Sequence, residues 1–399
     1  MKIIFCSFQG FDKNNNPQGM VKIISKMLVH FKYDYEYYVS YVNNKLQSRI
    51  KLINYFYRFI FLFISKFQGI FKRIGIQPHY GKIRLLQEKL FDYFFSFKIK
   101  KGTILVSTAY IAKTFRKNKK FGGINIFIAG NAYDRYINNV IVKQANTYNI
   151  EIQDAYTLVS RLRFIDEHLS NTDMIIANTS IVYEVYQNSF PLIPIELCEY
   201  HIDVRNYMTN ESLFKNKKLT FCYIAHTVWL KGLIYLLEAF NKFDSNQVQL
   251  IIGGSINKQV QKTINKMKLN KNIKFIGHVP DLNQFMKSSH ICIVPSLVDN
   301  HPTTISEALY CGLPVITTEG CGSKTLIKDG ENGFIVSVAD ADAIAEKIQW
   351  FIDNQDKIEE MSIKAKQSIE DIENSDQNEI LANHIMEVID KLKKEKGIE

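Results

Sequence analysis

Two carboxylates eight positions apart, Asp299 and Glu307, bracket a proline in the run VDNHPTTISEALYCGLPVI. Pro302 suits the first position of a helix, where its missing N–H costs nothing, and Gly312 with Pro314 suits the end. The pattern predicts a helix from about Pro302 to Cys311, entered from the buried strand ICIVPS. The first amides, near His301 to Thr304, lack intrahelical acceptors and lie at the positive end of the macrodipole. At the carboxyl end of a parallel strand such amides are a ready anion site. Asp299 precedes them, and Glu307 lies more than a turn further on, where it would reach another part of the same ligand. The alternative is purely structural: Thr304-Ile305-Ser306-Glu307 also fits a capping box, in which the carboxylate satisfies an amide at the helix start.

Elements able to position these groups recur along the chain. KIIFCSF, the polar loop QGFDKNNNPQG and the helical MVKIISKMLVHF form a β-loop-α unit with Gly19 just ahead of the helix. TILVST, GINIFIAG and DMIIANTS repeat the signature of short buried strands bounded by turn residues. A second series follows: LTFCYIAH, VQLIIGGS, IKFIGHV, ICIVPS, PVITTEG and GFIVS, with the helical LIYLLEAFNKF and VQKTINKMKL between strands. Strands alternating with helices predict parallel sheets covered on both faces. At 399 residues the expectation is two doubly wound, Rossmann-like α/β domains facing across a cleft. They would comprise residues 1–203 and 219–375, joined by a polar linker at 204–218. A C-terminal helix at 376–399 would pack back on the first domain.

Composition narrows the partners. Hydrophobic residues at 46% and charged residues at 23% are an ordinary globular balance. The six cysteines are scattered, without CxxC or His/Cys clusters, and read as reduced buried thiols rather than a zinc site or disulfide framework. The opening MKIIFCSF has no cleavage site behind it, so a cytoplasmic rather than secreted product is expected. The formal charge is +10, yet Lys45 to Lys120 carries 18 Lys/Arg against Glu88 and Asp92, leaving the rest of the chain mildly acidic. Within that basic stretch, RIKLINYFYRFIFLFISKFQGIFKR, from Arg49 to Arg73, interleaves Phe and Tyr with cations. Its uncharged runs are far short of the roughly 20 residues that span a bilayer. An interfacial helix on an anionic membrane surface is the favoured reading, and a core helix with snorkelling cations the alternative. Nucleic acid would also attract the charge, but no recognition motif accompanies it.

The segment PSLVDNHPTTISEALYCGLPVI resembles the donor-sugar signature of retaining glycosyltransferases of family four, which have the two-domain GT-B fold. Asp299 and Glu307 stand at its two acidic positions, and Ala308, Gly312, Pro314 and Val315 match the run that follows. Asp replaces the usual first Glu, and Asn300-His301-Pro302 replaces Gly-Phe-Gly. LIKDGENGFIV and IKFIGHVPD match flanking segments, so the likeness covers most of residues 219 to 340. In CYIAHTVWLKGLIYLLEAF, Lys231-Gly232 is retained, while His226 stands where the family has an Arg on the donor diphosphate. The loss weakens a two-pronged phosphate clamp, because only Lys231 then brings a permanent charge. The N-terminal half is less similar: NPQGM, with Gly19, resembles the acceptor-side glycine loop, and the family's His position reads Ala129-Gly130-Asn131. His30, His79 and His168 are expected to be structural.

The resemblance implies Lys231, Asp299 and Glu307 as catalytic residues. It implies a donor site of Gly19, His226, Lys231, Gly253, His278, Val279, Asp299, Asn300, His301, Pro302, Thr303, Thr304 and Glu307. No cofactor or metal is expected. The implied function is transfer of a hexose, with retention, from a nucleotide diphosphate sugar to a lipid-linked or membrane-proximal glycan in bacterial surface polysaccharide or lipopolysaccharide synthesis. The enzyme would work on the cytosolic face of the membrane. A nucleotide-sugar epimerase of the same fold and a catalytically degenerate scaffold are the alternatives.

Overall fold

Short apolar runs bounded by turn residues become the strands of two parallel sheets in the computed structural model. It describes residues 2–8, 20–40, 50–52, 56–57, 59–61, 63–64, 80–151, 154–201, 204, 218–244, 246–373 and 376–397. In the N-terminal half, β1 (Lys2–Ser7), β2 (Tyr35–Val39), β3 (Ile50–Leu52), β4 (Thr103–Ser107), β5 (Ile124–Ala129), β6 (Met174–Ala177) and β7 (Ile195–Leu197) take the order β3-β2-β1-β4-β5-β6-β7. In the C-terminal half, β8 (Leu219–Ile224), β9 (Val248–Gly253), β10 (Ile273–Gly277), β11 (Ile291–Val294), β12 (Val315–Thr318) and β13 (Gly333–Val336) take the order β10-β9-β8-β11-β12-β13. Strand order reverses between β1 and β4, and again between β8 and β11. At such switch points open α/β sheets leave a crevice beyond the strand carboxyl ends.

Helices α1 (Met20–Met27), α2 (Tyr80–Phe95), α3 (Ala112–Lys120), α4 (Asp134–Thr147), α5 (Val159–Leu169) and α6 (Ser180–Ser189) accompany the first sheet. Helices α7 (Leu233–Phe240), α8 (Lys258–Ile264), α9 (Leu282–Lys287), α10 (Thr303–Tyr310), α11 (Ala341–Asp353) and α12 (Ile358–Glu373) accompany the second. The central strands of each sheet are buried on both faces, which is why they read as continuous apolar runs rather than alternating ones. Along β1, Ile3 and Phe5 enter one core with Val21 and Ile24, while Ile4 and Cys6 enter another with Phe91 and Phe95. Each such Ile or Phe contributes about 1.5–3 kcal/mol on burial.

The last helix, α13 (Gln377–Glu395), follows the C-terminal domain but packs on the N-terminal one. Asp376 caps it by accepting from the Asn378 and Glu379 amides. Leu381, Ile385, Ile389 and Leu392, on one face, then join the core of Ile3, Phe5 and Val21. The domains also meet where α4 lies against α7: Tyr235 Oη donates to Gln144 Oε1 at 2.6 Å. The Tyr148 and Trp229 rings meet at a tilt, their centroids 5.6 Å apart.

Three strands, β2, β3 and β7, escape the apolar-run pattern. In β2 the run YEYYV is interrupted by Glu36, whose carboxylate is met by Lys2 at 2.6 Å and also by Lys51. Ile50–Leu52, at the start of the stretch expected to be an interfacial helix, is an edge strand instead, pairing with Tyr37–Val39. Backbone pairing there outweighs helical periodicity. Most of the rest of that stretch, and most of the linker at 204–218, lies outside the described residues. Of its described side chains, Tyr57 is fully buried, whereas Phe56, Phe59 and Phe63 are 62%, 67% and 53% exposed. All six cysteines are free and buried.

Candidate functional site

A cleft of about 370 Å³ opens at the carboxyl ends of β8 and β9, against α10. Its walls include Ala225, His226, Gly254, Ser255, His278, Val279, Thr304 and Glu307. Backbone bonds stitch the loops around it: Thr227 N–H donates to the Ser255 carbonyl at 2.7 Å and Gly254 N–H to the Gly277 carbonyl at 2.6 Å. Leu297 N–H donates to the Leu230 carbonyl at 2.7 Å, tying the loop after β8 to the loop after β11.

The second tie positions Lys231. A short 3-10 turn, Trp229–Lys231, ends at Gly232, which has φ of +66°. A Cβ at Gly232 would lie 1.8 Å from the Pro295 carbonyl oxygen, so only glycine permits this approach. The result sets Lys231 Nζ 2.5 Å from Asp299 Oδ2, with side-chain exposures of 29% and 13%. Ser296 Oγ donates to the same oxygen at 3.3 Å. A half-open ammonium held by one carboxylate can turn to a competing polyanion at small cost, because such pairs are individually weak. The pair stands outside the wall of the cleft, on a loop whose next residue, Asn300, bonds to the N-terminal domain.

The helix of the motif is α10, Thr303–Tyr310, one residue shorter at each end than its pattern predicts. Pro302 is the extended cap (φ −67°, ψ 99°), and no side chain caps the helix. A capping-box carboxylate belongs on the third helical residue, here Ile305, whereas Glu307 is the fifth. The capping alternative therefore fails on register. Glu307 is 8% exposed and forms part of the cleft wall instead.

The other expected donor residues divide. His226 is exposed at the cleft, its Nδ1 2.6 Å from Ser255 Oγ, and His278 and Val279 also line it. Gly253 packs the wall rather than lining it: a Cβ there would meet Val279 Cγ2 at 2.5 Å. Thr304 lines the cleft, Thr303 is half-buried, and Pro302 is buried at the cap. His301 does not line it. Its ring centroid lies 6.0 Å from that of His201, and its Nε2 is buried without a partner. Burial, then repulsion from His201, pulls its pKa down to about 4, so the ring is neutral at pH 7. The Asn300 side chain turns to the other domain. Gly19 lies outside the described residues. Unanticipated were Gly254, Ser255 and Ser296. A Gly-Gly-Ser turn ending a buried strand was the available signal for the first two.

At the N-terminal switch point the groups are hydroxyls. Tyr37 Oη donates to Ser7 Oγ at 3.0 Å, Thr108 Oγ1 to Ser7 Oγ at 2.8 Å, and Cys6 Sγ to Ser107 Oγ at 3.2 Å. His168 is core: the Ile111 amide donates to its Nδ1 at 3.2 Å, Phe115 packs on the ring at 4.3 Å, and burial lowers its pKa to about 3. His30 pairs at the surface with Asp376 at 3.4 Å. With Glu379 these two offer ligand atoms within 4.8 Å of one another, but at the positive end of α13, where a cation is disfavoured.

Residues 205–368 match the family model described as glycosyl transferases group 1. The capsular polysaccharide biosynthesis glycosyltransferase CapM of Staphylococcus aureus is 28% identical over 162 residues, 39% of this chain and 42% of that protein. The trehalose synthase of Pyrococcus horikoshii is 28% identical over 174 residues, 40% of each chain. The matches thus span less than half the length of these relatives. Among solved structures, Anabaena HepE in complex with UDP superimposes with a TM-score of 0.61 at 15% identity, over 98% of this chain and 100% of that one. The lipopolysaccharide outer core galactosyltransferase WaaB gives 0.64 at 16% identity, over 97% and 99%. At these identities the structural likeness establishes the fold.

Proposed function

We propose that this chain, of GT-B fold and with residues 205–368 belonging to the group 1 glycosyl transferases, moves a sugar from a nucleotide diphosphate donor to a lipid-linked or membrane-proximal glycan, with retention of configuration. The observation that carries the reading is the order of groups along the carboxyl edge of the second sheet. Glu307 and His226 line a nucleoside-sized cleft, and the Lys231–Asp299 pair lies beside the N-terminal domain's loops. A donor has the same order: nucleoside, diphosphate, sugar. Glu307 would take the ribose hydroxyls, Lys231 with the α10 amides the diphosphate, and Asp299 a sugar hydroxyl. Structures of Anabaena HepE with UDP and with UDP-glucose support this donor class, and the name of CapM supports a surface polysaccharide product.

The chemistry follows from what each group can do. The position where the resemblance calls for a His on the acceptor side reads Ala129-Gly130-Asn131, so no side chain there can act as general base. Asp299 is held by Lys231 as a hydroxyl acceptor rather than as a free nucleophile. In the proposed path the acceptor hydroxyl attacks C1 from the face the diphosphate leaves. The C1–O bond to phosphate breaks, and a phosphate oxygen takes the acceptor proton. Lys231 and the helix amides stabilise the departing charge, the electrostatic contribution that usually dominates, so no metal-dependent step is needed. Proton NMR of the first-formed product tests the path. An α-linkage from an α-linked donor is expected, and inversion or strict dependence on a divalent ion would contradict it.

A membrane-proximal acceptor is favoured by a second observation. Phe56, Phe59, Phe63, Tyr93 and Phe97 are exposed, and Lys113 Nζ stands 4.1 Å over the Tyr93 ring. Aromatics interleaved with cations suit the anionic cytosolic face of a membrane. Among the described residues no helix is long and apolar enough to cross one. Sedimentation with anionic but not neutral vesicles, reversed by salt, is the expected result, and no vesicle binding would count against it.

A further inference from the structure

The Asn300 carboxamide is spent on the opposite domain. Its Nδ2 donates to the Gly130 carbonyl at 2.5 Å and to Asn178 Oδ1 at 3.1 Å, and its Oδ1 accepts from Thr179 Oγ1 at 2.7 Å. Gly130 directly follows β5, and Asn178 and Thr179 directly follow β6. The Gly130 carbonyl can only accept, so the NH₂ must face it and the orientation of the amide is determined. The backbone is as tightly placed: a Cβ at Gly322 would lie 1.9 Å from the Asn300 carbonyl oxygen and 2.7 Å from Thr179 Oγ1. Three segments from two domains meet there with no spare room.

We infer that Asn300 is a positioning residue, not a donor ligand: it clasps the sugar end of the donor loop to the acceptor domain. The inference rests on the donor reading above. Asn300 follows Asp299, whose carboxylate holds Lys231, and Leu297 two residues earlier is bonded to Leu230. Lys231, Asp299 and Asn300 therefore move as one body, and the clasp registers that body against the loops after β5 and β6. Donor affinity is set by the cleft and by the Lys231–Asp299 pair, whose contact with each other does not involve the Asn300 side chain. The distance between donor sugar and acceptor is set at Asn300.

Hydrogen–deuterium exchange on the full chain tests this without knowledge of the donor, using Asn300→Ala and Asn300→Asp. The Asp variant keeps the acceptor for Thr179 but turns an oxygen towards the Gly130 carbonyl. In both, amides at residues 130–134 and 178–183 should exchange roughly tenfold faster, the scale of a lost hydrogen bond, while those of α10 stay unchanged. Thr179→Val, which cuts the clasp from the other side, should shift the same amides. Titration with UDP should give a Kd within about twofold of wild type, and turnover with any accepted donor should show a lower kcat at unchanged donor KM. Unchanged exchange in all three variants overturns the clasp. A Kd weakened roughly tenfold or more makes Asn300 a donor ligand instead. If wild type does not bind UDP at all, the choice of nucleotide fails while the exchange result still decides the clasp.

Discussion

The two domains share a sheet design but use their buried and half-buried charges in opposite ways. In the N-terminal domain Arg161 is 2% exposed and locked between Glu88, at 3.0 Å through two nitrogens, and Asp134, with Tyr110 Oη donating to Asp134 at 2.8 Å. This network ties α2, α4 and α5 together, and every charge in it has a fixed counter-charge. In the C-terminal domain Lys231 and Asp299 also pair, but Lys231 keeps 29% of its side-chain exposure. The first arrangement cannot exchange partners without leaving a buried ion uncompensated, and the second can. A charge therefore marks a binding site by the ease with which its partner can be replaced.

The contrast can be broken by removing one cation from each side. Arg161→Ala strands Asp134 in the interior and leaves Glu88 with only the half-open Arg84 at 3.0 Å, and should cost the N-terminal domain about 3–5 kcal/mol, read as an earlier denaturant transition. Lys231→Ala should hardly move any transition, since Asp299 stays partly solvated, yet should cut turnover by about 10²–10³-fold, as loss of a transition-state contact does. Equal destabilisation by the two variants would erase the distinction. A smaller effect sharpens it. His168 is neutral in the folded state, with its pKa lowered by burial to about 3 from the usual 6.5. As pH falls below about 6.5 the unfolded chain binds a proton that the folded one refuses, so stability is lost progressively towards pH 3. The N-terminal transition should thus move to lower denaturant between pH 7 and 5, and a pH-independent midpoint would contradict the buried assignment.

What could be read from the chain follows the same division. The strands of the C-terminal sheet are short, largely apolar runs closed by turn residues, and part of its site, from Asp299 to Glu307, falls within one local motif. Local pattern therefore exposes them. Strand β2 was hidden because Glu36 breaks its apolar run, and its compensation by Lys2 and Lys51 is a tertiary fact. The Arg161 network was hidden because its partners are 73 and 27 residues away. The place of Asn300 in the motif points to the donor. Its actual partners, Gly130 and Thr179, are 170 and 121 residues distant, and no spacing in one sequence reports a contact between domains.

The central claim is that the cleft beside α10 binds the nucleoside end of the donor through Glu307. Calorimetric titration of wild type and Glu307→Gln with UDP, alongside their melting temperatures, tests it most directly. The variant keeps the shape of the wall but loses charge-assisted hydrogen bonds worth about 1.5–3 kcal/mol. The account predicts affinity weakened by roughly 10- to 100-fold with an almost unchanged melting temperature. Unchanged UDP affinity with a collapsed melting temperature would show that Glu307 holds the fold and not the ligand.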